Sequence, residues 1–263
     1  MIKVKKVIIA SFQRSGTHFL LNNLATNFIG VEDGWGDILN NDLKRSLGDA
    51  ERLDFRDKIW EQLRAYHQTP MRRPLKTHFQ MYFFERWLGA IMEEYDVFYM
   101  VRDPRDTMVA CFNFYNHTHF EPFIKEPVFS KFLRADLRSV KTETDPFSYS
   151  HVKPRNIVDK WNNHVLSWLP YRDRGVVFVK FSDLKFRLRE TLEFIESKTS
   201  QRLKPAIQPV SVTDKRLRPD FKLAGLRRGE VGIWREYFSP GDLQFVEQTL
   251  SEQTKPFCDE PRL

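Results

Sequence analysis

Three stretches read as near-continuous apolar runs of strand length: residues 7–10, 97–101 and 176–179. A strand with apolar side chains on both faces belongs in a parallel sheet covered by helices on each side. A weaker fourth strand reads at residues 74–77. Ile157, Trp161, Val165 and Trp168 recur at helical spacing between Pro154 and Pro170, which predicts a helix bracketed by those prolines. Leu184, Leu188, Leu192 and Ile195 repeat the stripe, with Lys185, Arg189, Glu193 and Glu196 on other faces. Strand and helix in alternation predict an α/β fold, with a central parallel sheet, helices on both faces and right-handed crossovers.

Composition narrows this little but excludes much. A chain of 263 residues suits one large domain or at most two, and no internal repeat or long linker divides it. Residues 1–263 therefore read as a single domain. An apolar share of 41% with 23 Phe excludes a disordered chain. The net charge of +7 points to an anionic partner: nucleotide, nucleic acid, acidic glycan or membrane surface. The two cysteines, Cys111 and Cys258, make neither a disulfide framework nor a zinc spacing. Cys111 shares a helical face with Met108, Phe112 and Tyr115, which reads as core rather than nucleophile. Lys3, Lys5 and Lys6 precede a short apolar run, but Gln13 and Arg14 interrupt it before any cleavage-like site. No apolar run approaches the ~18 residues of a membrane span, so a soluble, cytoplasmic protein is expected. Residues 118–150, with Pro122, Pro127 and Pro146, have no clean period and read as an insertion, either a lid or a tolerated surface loop. Residues 204–226 are a second irregular segment.

The first strand runs into Ser11-Phe12-Gln13-Arg14-Ser15-Gly16-Thr17-His18 and then an amphipathic stretch from Phe19. Strand, polar turn with glycine, then helix is the layout of a P-loop-like phosphate site, where amide hydrogens and the helix dipole hold an anion. Arg14 adds a fixed charge, and Ser15 and Thr17 add hydroxyl donors. Ser11 and Thr17 stand where a nucleoside triphosphatase needs its first Gly and its Lys. The same letters also suit an ordinary turn with a surface arginine. The strand at 97–101 ends in Arg102-Asp103-Pro104-Arg105-Asp106, with Pro104 suited to a helix start and Arg102 suited to a phosphate. Ligands of open α/β sheets sit beyond the carboxyl ends of strands, so two such loops can hold two phosphates of one nucleotide.

Together these runs resemble the sulfotransferase family. Residues 11–19 resemble its 5′-phosphosulfate loop, and Arg102-Asp103-Pro104-Arg105-Asp106 its 3′-phosphate motif. Leu75-Lys76-Thr77-His78 looks like the family's Lys-Thr-His. Arg227-Arg228-Gly229-Glu230-Val231-Gly232-Ile233-Trp234 resembles its Arg-Lys-Gly-x-x-Gly-x-Trp signature. The four matches keep the family's order. Departures exist: Arg14 replaces the usual Lys, Phe19 the usual adenine-stacking Trp, Ala110 a Ser, and Phe181 a Tyr.

The resemblance implies transfer of a sulfonate from 3′-phosphoadenosine 5′-phosphosulfate (PAPS) to a hydroxyl or amine of a small-molecule acceptor. It implies His78 as general base, Lys76 and Arg14 as charge stabilisers, and no metal. It puts Arg14, Ser15, Gly16, Thr17, His18 and Phe19 on the phosphosulfate and adenine, and Arg102, Arg227, Arg228 and Gly229 on the 3′-phosphate. Phe79, Phe112 and Phe114 line an acceptor pocket by family position or are simple core. A monomer or homodimer is expected, with neither nucleic acid nor membrane as partner. A glycan or peptide acceptor is the alternative within the class. A nucleotide kinase or a basic nucleic-acid-binding protein are the rivals outside it. His117 and His119 form no metal site at ligand spacing.

Overall fold

The computed structural model describes residues 4–38, 55–117, 124, 126–138, 153–211 and 229–258. Among them five strands form one sheet: β1 (Lys6–Ser11), β2 (Gly36–Asp37), β3 (Leu75–Thr77), β4 (Tyr95–Val101) and β5 (Val177–Lys180). Every pairing is parallel, and the order is β2-β3-β1-β4-β5. The three apolar stretches became β1, β4 and β5. The weak candidate became β3, an inner strand of three residues. Successive strand residues face opposite sides, so two core layers form. Ile8, Ala10, Val97, Tyr99 and Val101 enter one; Val7, Ile9, Phe98, Met100 and Val179 enter the other.

The helices are α1 (Thr17–Asn27), α2 (Phe55–His67), α3 (Leu88–Glu94), α4 (Pro104–His117), α5 (Phe129–Arg134), α6 (Ile157–Trp168), α7 (Phe181–Phe186), α8 (Leu188–Lys198) and α9 (Pro240–Thr249). Leu20, Leu24, Leu184, Leu192 and Ile195 from α1, α7 and α8 cover one face. Leu63, Leu88, Met108, Phe132, Trp161 and Val246, from α2 to α6 and α9, cover the other. Cys111 is fully buried in that second cluster, and burial pushes its thiol up to about 12, so it is core. None of the described helices is long and apolar enough to cross a membrane.

The helix expected between Pro154 and Pro170 is α6. Its four stripe residues are all buried, each worth roughly 1.5–3 kcal/mol against exposure. Its first turn is capped by the Asn156 side chain, which accepts from the Asp159 N–H at 2.9 Å. The second stripe is not one helix. Arg187, at φ −130 and ψ 53, ends α7 and starts α8, and its side chain pairs back to Asp183. The irregular stretch 118–150 contains α5, while residues 118–123, 125 and 139–150 lie outside the described residues. Of residues 204–226, those to 211 form no helix or strand and the rest lie outside the described residues.

This order positions the site. From β1 the chain builds β2 and β3 on one side and then β4 on the other, so β1 ends at the switch point where open sheets bind ligands.

Candidate active site

Beyond β1 the backbone turns through Arg14 at φ 64, the only non-glycine residue with positive φ among those described, and Gly16 at φ 95. A left-handed arginine costs roughly 1–2 kcal/mol, and turns of this kind can gather successive amides into an anion nest. Gly16 N-caps α1 without a side-chain hydrogen bond, and no acid occupies the first turn, so no side-chain cap or acid there answers the helix dipole. Ser15 Oγ is buried without a partner. Gly16 has no substitute: a Cβ there would meet the Phe181 ring at 2.4 Å. Phe181 floors the loop, with its ring 5.6 Å from that of Phe19. Phe19 itself is buried in the core layer under the sheet.

Two arginines stand beside this nest. Arg102, only 7% exposed, donates from Nη2 to the Glu230 carbonyl at 2.7 Å and from Nη1 to the Arg14 carbonyl at 3.4 Å. Its guanidinium lies 4.8 Å from the centre of the Phe181 ring, and that of Arg14 lies 4.6 Å from the Phe114 ring. The Nε atoms of both are buried without partners. Burial lowers both pKa values, and each guanidinium remains charged at neutral pH. A cavity of about 10 Å³, room for one water-sized group, lies between them and is bordered by Asp106, Ala110 and Asn113.

The nearby carboxylates are already committed. Asp103 takes a bidentate pair from Arg105, its closest contact 2.6 Å. Asp106 accepts from the amides of Gly232 at 2.8 Å and Trp234 at 3.2 Å. Lys185 Nζ donates to the Gly229 carbonyl at 2.6 Å, and Arg105 stacks 4.1 Å from the Trp234 ring. The C-terminal glycine motif is thus tied down beside Arg102. Local positive charge exceeds negative, and buried donors beside the gap lack partners, a set that fits phosphate groups. Arg227 and Arg228 lie outside the described residues.

On the other flank of β1, β3 pairs Thr77 with Ala10, which brings His78 level with Ser11. His78 Nδ1 lies 2.8 Å from the Ser11 carbonyl oxygen. A carbonyl only accepts, so Nδ1 carries the proton and Nε2 is the basic nitrogen. The Ser11 hydroxyl pairs with Thr17 Oγ1 at 2.6 Å and lies 3.4 Å from the same Nδ1, so loop and histidine share one network. Lys76, 8% exposed, faces Asp37 across the β2–β3 register and pairs with it at 3.1 Å. Its Nζ lies 3.5 Å from Nε2 of the exposed His18, whose ring rests against Trp35. His18 and Lys76 therefore meet each other. The His117 side chain and His119 lie outside the described residues.

Sequence reasoning missed the residues of α6 that hold this flank. His164 Nε2 meets the His78 carbonyl at 2.9 Å, Trp168 Nε1 donates to the Phe79 carbonyl at 3.1 Å, and Ser167 Oγ accepts from the Met81 amide at 3.1 Å. A polar His164 inside the apolar stripe, three residues after Trp161 and four before Trp168, was the available signal. Phe79 is fully buried against Phe83, and Phe112 and Phe114 are half-buried.

Comparison with known proteins agrees with this arrangement. Residues 4–257 match the model of the sulfotransferase domain. The chain is 23% identical to sulfotransferase 2A1 of Macaca fascicularis, over 96% of this chain and 85% of that one. Its fold is similar to mouse sulfotransferase SULT7A1 complexed with PAP, at a TM-score of 0.59, 20% identity, and coverage of 95% and 85% of the two chains. It is also similar to retinol dehydratase in complex with retinol and PAP, at a TM-score of 0.55, 18% identity, and coverage of 98% and 84%.

Proposed function

The chain belongs to the sulfotransferase family and is a PAPS-dependent sulfotransferase, and we propose a division of labour among its residues. The turn through Arg14, Ser15 and Gly16, with the start of α1, holds the 5′-phosphosulfate. Arg102, with the Gly229 segment, holds the 3′-phosphate. His78 takes the proton of an alcohol, phenol or amine on a small-molecule acceptor. The family match favours this reading over the kinase alternative.

One observation supports this reading above the others: the base, the nest and the second arginine leave three adjacent strands, β3, β1 and β4, at the same end of the sheet. The donor supplies the sulfonate and a phosphate leaving group. The Ser11 carbonyl keeps the His78 proton on Nδ1 and so presents Nε2 to the acceptor. That is the orienting task an aspartate performs in a catalytic triad. Arg14 meets charge that develops between the reacting oxygens, already fixed over Phe114 and needing no reorganisation. Lys76 adds a cation paired with Asp37 at 3.1 Å. Phe79 follows the histidine in the chain and packs on Phe83, which favours a small acceptor with an apolar body. The retinol complex of a neighbour of the same fold agrees with that class.

Replacing the base tests the assignment. His78→Ala is expected to lower turnover by about 10²–10⁴-fold on whichever phenol, alcohol or amine of a panel supports transfer. Calorimetric affinity for adenosine 3′,5′-bisphosphate should stay within about threefold of the native value. Unchanged turnover removes His78 from the mechanism.

A further inference from the structure

A histidine sealed in a core needs a reason, because Leu or Phe would fill the space without burying polar nitrogens. His164 is 2% exposed, with Phe12 edge-on at 5.7 Å and Tyr99 beside it. Both its nitrogens are spent: Nε2 lies 2.9 Å from the His78 carbonyl oxygen, and Nδ1 lies 2.8 Å from the Tyr99 hydroxyl.

The direction of these bonds follows from the chemistry. The carbonyl can only accept, so Nε2 carries the hydrogen. Burial holds the imidazole's pKa down to about 3, so the ring is neutral near pH 7 and Nδ1 is bare. Tyr99, its own pKa pushed well above 10 by burial, must then be the donor to Nδ1. The chain runs one way, from the Tyr99 hydroxyl to His164 and from His164 to the backbone of residue 78.

Its place in the fold gives this chain its use. β3 ends its ladder at Thr77, so residue 78 is the first whose carbonyl lies beyond the pairing with β1. His164 takes up that carbonyl, while the Ser11 carbonyl takes up the ring proton of the same residue. Residue 78 is gripped from two directions, one acting on its main chain and one on its side chain.

We propose that His164, oriented by Tyr99, is a positioning residue for the general base, holding the main chain of residue 78 so that its ring keeps the Nδ1–H tautomer. The proposal rests on the reading of His78 as base, but its test does not depend on that reading. The full-length protein, saturated with adenosine 3′,5′-bisphosphate, is labelled with ¹⁵N-histidine, and the His78 ring nitrogens are followed by NMR. Native protein and His164→Gln, whose amide reaches the same carbonyl, should show His78 predominantly as the Nδ1–H form. His164→Leu should show a mixture with the Nε2–H form. Its turnover should fall about 10- to 100-fold, within the value of a positioned base, while affinity for adenosine 3′,5′-bisphosphate changes less than about threefold. Should His164→Leu fail to fold, Tyr99→Phe carries the test, with a smaller shift of the same kind. A native His78 spectrum in whichever variant folds overturns the proposal. Loss of the base reading would appear separately, as full turnover in His78→Ala.

Discussion

The two flanks of β1 are finished to different degrees. On the β3 side the described groups answer one another: Ser11 with Thr17, His78 with the Ser11 carbonyl, His164 with residue 78, Lys76 with Asp37. On the β4 side two guanidiniums press together over aromatic rings, and Arg14 Nε, Arg102 Nε and Ser15 Oγ have no partner. The difference teaches where stability has been conceded. The proposed base gains from being preorganised before substrate arrives, whereas an anion site is completed by its ligand and is left costly without it.

The strongest way to break the contrast is to remove the ring beneath the nest. Phe181 is fully buried and touches Gly16, Phe19 and the face of Arg102. Phe181→Ala is expected to cost about 3–5 kcal/mol of stability, read by denaturant titration. Donor affinity should fall with it, because the left-handed turn loses its floor. The His78 tautomer, on the other flank, should not change.

Next comes Arg102→Ala. A charge-assisted bond is worth about 1.5–3 kcal/mol, so affinity for adenosine 3′,5′-bisphosphate should drop roughly 10- to 100-fold, with a much smaller loss for AMP. Equal losses for both ligands in calorimetry would place Arg102 away from the 3′-phosphate. Thermal stability without ligand should fall less than that of Phe181→Ala, since an unanswered buried charge leaves along with the bond to Glu230.

A smaller effect sharpens the comparison from outside the site. Asp242 is buried, which alone would raise its pKa. Hydrogen bonds from Ser130, Ser239 and Arg134 outweigh burial and bring it down to about 2. Its folded pKa lies below the unfolded value near 3.9, so its contribution is present above pH 4 and is lost as pH falls towards 2. Asp242→Asn should be about 2 kcal/mol less stable than the native chain at pH 6, and nearly equal to it near pH 2. A gap that persists in acid would show that the carboxylate's charge is not what the cluster uses.

Much of this was legible in the chain because it is written in local patterns. β1, β4 and β5 stand out as apolar runs of strand length. The nest was readable from Arg14, Ser15 and Gly16 following a strand, and His78 from its neighbours Lys76 and Thr77. What could not be read depends on distant backbone. Nothing in the spacing announces that Arg102 will bond the carbonyl of Glu230, or that Asp106 will take the amides of Gly232 and Trp234. The break at Arg187 carries neither Gly nor Pro, so periodicity ran straight through it. α5 is only six residues long and sits among prolines, too short for a period to show. The use of His164 could not be read because its partner carbonyl lies 86 positions away.

The proposed base, nest and second arginine follow three neighbouring strands, whose ends are set apart by the interstrand step of about 4.8 Å. That ruler is made of main-chain hydrogen bonds, which side-chain replacement barely alters. On the proposed assignment, a change of acceptor needs only a remodelled roof over the sheet, while the spacing of these strand ends is inherited intact.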